Sequence, residues 1–357
     1  MGEKKLKILL LADLLANAKQ WKDGLERYGN AEVVVLELRN RNKLKRVVEW
    51  LNILFTIRSK VKKYNPDIVI GYRLTSYGFL AAWSGFRPCV LASQGITDVW
   101  PEDHWTASLK AMLARYAIRR ADMIHAWGEH MAVSIFELGA SREQVFVLPR
   151  GIDTDLFSMR VPKEEKAASH TYTMCVTRGL YPEYNHAVIL NAVKKLLDEG
   201  IRVHLTIAGT GIEKENIEDF ISNNALEQSI KLVGYIPNKE LPGLLRNSDI
   251  YLSMPSTEGV SASLLEAMSC GCFPIVTDIT ANRALIVNGE NGYLVQPDNV
   301  DDLSAKIKAT INNPCLVKEA AGKNREYVMS EASLQANMPR FTQKYRQLIT
   351  LLNEKIN

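Results

Sequence analysis

The sequence predicts an α/β chain of two doubly wound, Rossmann-like domains, and three observations predict it. Short apolar runs rich in Val, Ile and Leu alternate with longer amphipathic stretches, the pattern of a parallel sheet covered by helices. Six such runs precede a Pro/Gly-marked turn near the middle of the chain and six follow it. At 357 residues the chain is also about twice the length of a usual single domain.

The runs that predict strands in the first half are residues 6–12, 32–38, 67–72, 88–93, 123–127 and 144–148, and in the second half 172–177, 203–208, 230–233, 250–254, 273–277 and 292–295. Between the halves, the segment from Leu148 to Phe157 leaves a strand through Pro149 and Gly151, and a polar connector follows. The expected domains are therefore 1–158 and 159–335. A last helix, 336–357, carries Phe341, Tyr345, Leu348 and Leu351 at helical spacing and is expected to return to the first domain. Two such sheets facing each other would form a cleft at their carboxyl ends, where open α/β sheets bind ligands.

Composition narrows the classes of function. Hydrophobic residues make up 46% and charged residues 24%, which excludes a disordered chain. A net charge of +4 is too weak to imply nucleic acid. Five scattered cysteines, an odd number, favour a reducing cytoplasm, and Cys270-Gly-Cys272 is too close for a redox or zinc pair. The opening run is too short for a signal peptide or membrane span. Asp153-Thr-Asp155 has the spacing of a metal-binding pair, but it lies in the turn segment where both residues are natural turn formers, so no metal and no cofactor are expected.

The most informative stretch runs from Pro255 to Gly271 and places Glu258 and Glu266 eight residues apart around a loop of small residues that opens a helix. Backbone amides at Gly259, Val260, Ser261, Ala262 and Ser263, with the positive end of the helix dipole, form a candidate phosphate cradle. Glu266, one turn into the helix, can reach back to a ribose, and Glu258 on the loop would face a sugar. A bland reading stands beside this one: a solvated Glu258, and a Glu266 that merely favours the first helical turn.

The stretch PSTEGVSASLLEAMSCGCFPIV resembles the glutamate-x7-glutamate signature of retaining family-four glycosyltransferases (glycosyl transferase group 1) of the GT-B fold. LPRGIDTDLF resembles the family's interdomain segment, with Arg150 where Asn is usual. HLTIAGTG, VGYIPNKELPGLLRNSDIYLSMPS and NGENGYLVQPDNVDDLSAKI resemble three further segments in order, and the resemblance implies that Gly234, second in the middle segment, is donor-binding. The resemblance spans roughly residues 121–310, while the first 120 residues agree only in architecture.

What the resemblance implies is a nucleotide-sugar donor, UDP before GDP, with Glu258 at the sugar, the amides of residues 260–263 at sugar and diphosphate, and Glu266 at the ribose. It also implies an arginine and a lysine on the loop after the second domain's first strand. Arg178 takes the arginine's place, with Glu183 as its alternative surface partner, but Tyr184 stands where the lysine is expected. Lys231 and Arg246 are the basic residues considered for the missing cation. Where the family often has His-Gly after the fourth strand, this chain has Gln94-Gly95, and Gln94 cannot act as an acid or base. Asp98 and Asp13 are the carboxylates expected on the acceptor side, Asp98 having helix capping as its plain alternative.

The expected activity is retaining, metal-independent transfer of a sugar to a hydroxyl of a glycan or lipid-linked acceptor in cell-envelope polysaccharide or glycolipid synthesis. A nucleotide-sugar epimerase of the same architecture and a non-catalytic sugar-nucleotide binder are the rivals. Residues 37–63 carry nine basic residues against two acidic ones, with apolar residues between. Such a segment either lies on an anionic membrane surface, making the protein peripheral on its inner face, or packs one side on the sheet and solvates the rest.

Overall fold

The computed structural model describes residues 4–13, 16–38, 42–93, 107–159 and 171–355. Gln94, Gly95 and Asp98 lie outside the described residues. All twelve expected strands are present, each within two residues of its expected bounds. The chain divides into two units, Met1–Arg150 with Leu334–Asn357, and Gly151–Ser333. The division thus falls before Gly151 rather than near residue 158. Ile152 and Phe157 are buried in the second unit's core, and Ile152 bridges to Ser333.

The first unit is a six-stranded parallel sheet in the order β2-β1-β3-β4-β5-β6. Its strands are β1 (Leu6–Leu11), β2 (Ala31–Leu36), β3 (Ile68–Tyr72), β4 (Cys89–Ala92), β5 (Met123–Ala126) and β6 (Val145–Val147). The helices are α1 (Ala16–Tyr28), α2 (Lys43–Tyr64), α3 (Ser76–Trp83), α4 (Ala107–Arg120) and α5 (Glu129–Glu137). β3, β4 and β5 are buried at every residue, which is why β3 and β4 read as unbroken apolar runs and β5 as one interrupted only by His125.

The C-terminal helix, Leu334–Glu354, packs against α1. A Cβ on Gly24 would come within 3.1 Å of Met338, so the glycine sets how closely the two helices approach. Phe341 and Tyr345 are fully buried, while Leu351 is exposed. Phe341 meets His125 edge-on at 4.3 Å between ring centroids, and Trp21 stands 5.8 Å from the same imidazole. Burial in this aromatic setting pushes the His125 pKa down to about 3, although Nε2 bonds the Leu148 carbonyl at 2.8 Å.

The second unit is a six-stranded parallel sheet in the order β12-β11-β10-β7-β8-β9. Its strands are β7 (Tyr172–Val176), β8 (Val203–Ala208), β9 (Ile230–Gly234), β10 (Ile250–Ser253), β11 (Phe273–Thr277) and β12 (Tyr293–Val295). Its helices are α6 (His186–Asp198), α7 (Lys214–Asn223), α8 (Leu241–Asn247), α9 (Ala262–Cys270), α10 (Thr280–Arg283), α11 (Val300–Ile311) and α12 (Pro314–Glu331). The chain steps from β7 outward to β8 and β9, then returns to lay β10 on the other side of β7, and the crevice between β7 and β10 is the topological switch point.

His125 gives the first unit a specific acid sensitivity. The unfolded chain takes up its proton near pH 6.5 and the folded one only near 3, so between these values the unfolded state binds more protons and stability rises with pH. As the pH falls through that window this one group removes about 1.4 kcal/mol per pH unit. Tryptophan fluorescence isolates the first unit, since all six tryptophans precede residue 128. His125→Phe is expected to flatten the denaturation midpoint against pH between 6 and 4, and an unchanged slope would place the sensitivity elsewhere.

Candidate functional site

At the switch point of the second unit, the loop after β7 carries Arg178 and the loop after β10 carries Glu258. Parallel pairing of Met174 with Ile250 and Cys175 with Tyr251 brings the two carboxyl ends together. Arg178 pairs with Glu258 through Nη2. Its Nη1 donates to Ser263 Oγ at 2.8 Å and to Ser261 Oγ at 3.3 Å. Both partners of the ion pair are largely enclosed, with side-chain exposures of 11% for Arg178 and 15% for Glu258. Burial works most strongly against the guanidinium's charge, but Glu258 with Tyr251 and Tyr184 together outweigh it and raise the Arg178 pKa.

The Arg178 guanidinium lies over the Tyr184 ring, 4.3 Å from Cζ to the ring centroid. Tyr251, buried within β10, donates its hydroxyl to Ser263 Oγ at 3.0 Å, and burial pushes its pKa up to about 12. Two buried groups here lack partners among the described residues: the Arg178 Nε–H and both ring nitrogens of His186, the first residue of α6. Burial, assisted by the charge of Arg178, pushes the His186 pKa down to about 4, so the imidazole is neutral near pH 7. Buried polar atoms are nearly always satisfied, so an unsatisfied pair beside a buried charge makes this a candidate site for a polar ligand.

Ser261 caps α9, its Oγ accepting from Leu264 N at 3.4 Å. The amides of Ala262 and Ser263 are first in the helix and have no intrahelical acceptor. Gly271, at φ +85°, closes the same helix in a left-handed turn. The loops are pinned to each other as well. Ser256 N donates to Glu183 O at 2.8 Å, and Asn185 Nδ2 to Met254 O at 3.1 Å. A Cβ on Gly209 would sit 2.0 Å from the Arg178 carbonyl oxygen, and one on Gly211 2.1 Å from that of Leu180, so only glycine fits where the β8 loop supports the Arg178 loop.

Comparison with known proteins matches both units. The family described as Glycosyl transferases group 1 matches residues 160–328, and that described as Glycosyl transferase 4-like domain matches residues 12–151. The chain belongs to the group 1 glycosyltransferases and has the GT-B fold. Among its relatives is the putative colanic acid biosynthesis glycosyltransferase WcaL of Escherichia coli (strain K12), 25% identical over 199 residues, which are 54% of this chain and 48% of that protein. Another is the Escherichia coli UDP-Gal:alpha-D-GlcNAc-diphosphoundecaprenol alpha-1,3-galactosyltransferase, 25% identical over 194 residues, 51% of this chain and 49% of that protein. The chain spans about half the length of the curated relatives it matches. In architecture it is similar to a glycosyltransferase from Rickettsia africae ESF-5, with a TM-score of 0.78, 17% identity, and 97% of this chain and 99% of that one covered.

Within this group 1 chain, Arg178, Tyr184, Glu258, Ser261 and Ser263 come together, and Arg178 takes Glu258 rather than Glu183 as its partner. Gly259, Val260 and Ala262 lie half-buried on the same loop and helix start, and Glu266 is buried one turn further along α9. Gly234 ends β9 at φ +72° and accepts from Gly209 N at 2.8 Å, which links it to the glycine loop under Arg178. Neither basic residue considered in place of the missing lysine is shown at the site: Arg246 binds Ser158 and the Leu156 carbonyl, and Lys231 is exposed on β9. Asp153 Oδ1 accepts from the amides of Asp155 and Leu156, the geometry of a turn former.

In the first unit, Asp13 stands at the end of β1 with its carboxylate held by the Tyr77 hydroxyl and paired with Arg46 of α2. It therefore anchors α2 and α3 to the sheet. Sequence reasoning missed Tyr251 and His186, and also Ser93 and Trp127 at the ends of β4 and β5, whose Oγ and Nε1 are buried without partners among the described residues. A serine directly after the apolar run of β4 and a tryptophan directly after β5 were the available signals. Gly209→Ala is expected to lower the unfolding temperature of the second unit by the equivalent of about 1–3 kcal/mol. Hydrogen exchange should then quicken at residues 177–181 and 255–263, and wild-type protection of those segments in the variant would refute the support role.

Proposed function

We propose that the second unit binds a nucleoside diphosphate sugar, UDP before GDP, and that the chain transfers the sugar with retention to a hydroxyl of a glycan or lipid-linked acceptor in cell-envelope polysaccharide or glycolipid synthesis. The observation that carries this reading is the buried guanidinium of Arg178 at the start of α9, with a spare N–H, beside two helix-start amides. Diphosphate oxygens fit that set of donors, since a planar guanidinium and helix-start amides both favour them. As the sugar–oxygen bond breaks, negative charge grows on the leaving phosphate where these groups already point. Glu266 fits the ribose and Glu258 the sugar. Ser93 and Trp127 fit the acceptor in the first unit. Retention and the UDP preference follow from the family resemblance, and a lipid-linked acceptor is supported by the galactosyltransferase relative.

Glu258→Gln tests the reading. Turnover should fall by about 10²–10³-fold while donor binding, read as thermal stabilisation across a panel of nucleotide sugars, is largely kept. Unchanged turnover would remove Glu258 from the chemistry. Donor incubated alone separates transfer from epimerisation, and an NMR time course of the new anomeric proton should show the donor's configuration kept. Activity is expected to persist in EDTA, because amides and Arg178 supply the charge that a metal would otherwise carry.

A further inference from the structure

We propose that one face of the first unit, made by α2, α3 and α4, docks on an anionic lipid bilayer. The inference is independent of the transfer chemistry. A helix that only covers a sheet needs one apolar stripe. α2 has two. Ile53, Ile57 and Val61 face the core at 4%, 0% and 5% exposure. On the other side Leu44, Val47, Val48, Leu51 and Phe55 form a second stripe at helical spacing, with Leu44 80% and Phe55 84% exposed. Phe55 lies two residues from both Ile53 and Ile57, roughly half a turn round the helix from the buried stripe.

An aromatic ladder ties the inner side of α2 to the neighbouring helices. Trp50 of α2 stacks on Phe79 of α3 at 5.7 Å, and Phe79 contacts Trp83 at 5.9 Å and Tyr116 of α4 at 5.0 Å. Trp83 is 37% exposed, and beyond the ladder Leu109 and Met112 of α4 are exposed three residues apart. Exposed aliphatic residues with half-exposed Trp and Tyr are the composition that settles at the boundary between lipid headgroups and acyl chains.

Charge selects the occupant. α2 carries seven Lys or Arg against one Glu, and α4 four against no acid. Lys62, Lys63, Arg115 and Arg119 are exposed and form no ion pair among the described residues. A second copy of this chain docked through the same face would oppose like charges, whereas an anionic bilayer accepts both the apolar stripe and its basic flank. Among the described residues no helix is long and apolar enough to cross a membrane, so the contact would be peripheral.

Co-sedimentation of the whole chain with vesicles decides this. Binding to phosphatidylcholine vesicles containing a quarter phosphatidylglycerol should exceed binding to pure phosphatidylcholine at least tenfold and weaken with salt. V48E with F55E should lose that binding at least tenfold with an unchanged unfolding temperature. K62A with K63A should lose binding to the anionic vesicles alone. No binding to anionic vesicles, equal binding to both compositions, or full binding by V48E/F55E would overturn the proposal. So would self-association, measured by sedimentation equilibrium, that these substitutions abolish in a protein that does not bind vesicles.

Discussion

A buried positive charge at the switch point of the second sheet governs the shape of everything around it. A guanidinium this enclosed needs a carboxylate and further acceptors, and Arg178 finds them in Glu258, Ser261 and Ser263. That requirement fixes the loop after β10 against the loop after β7. It also explains the glycines of the β8 loop, because the backbone under Arg178 approaches too closely for any side chain. The unusual Tyr184 fits the same balance. A lysine there would press a second cation toward Arg178 with one carboxylate at hand, whereas a phenol ring offers its negative face to the guanidinium.

The two units solve one problem differently. In the second, the carboxylate at the switch point holds a basic side chain within the site. In the first, Asp13 at the end of β1 holds Arg46 and Tyr77, tying down the start of α2 and the adjacent α3. Fixed there and by its inner stripe, α2 can leave a second apolar stripe on the outside without detaching from the sheet. The sequence pattern of residues 37–63 allowed two readings because both stripes contribute apolar residues, and a helix apolar on two sides has weak periodicity.

The strands were legible because both faces of each parallel sheet are covered, so burial writes itself as continuous apolar runs. The loop from Glu258 to Ser263 was legible because small residues before a helix have few other uses. The ion pair was not. Arg178 and Glu258 are 80 residues apart, and they meet only because the chain crosses back to place β10 beside β7. Tyr251 was hidden for the opposite reason: inside an apolar strand it reads as core, and only its hydroxyl bond to Ser263 gives it a polar task. His186 looks like an ordinary helix-start residue until its two unpartnered nitrogens are placed beside a buried charge.

The ion pair also bears on how one glutamate can serve both structure and chemistry. On the proposed reading, a diphosphate reaching the start of α9 competes with Glu258 for the same guanidinium nitrogens, and it carries more charge than a carboxylate. As phosphate oxygens take over Arg178, Glu258 is released from its partner while still held on a loop pinned by Ser256 and Asn185. The carboxylate then becomes available to the sugar only when the donor's phosphates are seated. Before that, the pair keeps both charges satisfied in a poorly solvated place, where either one alone would be costly. On that reading, donor binding and the freeing of Glu258 are one exchange of partners at Arg178.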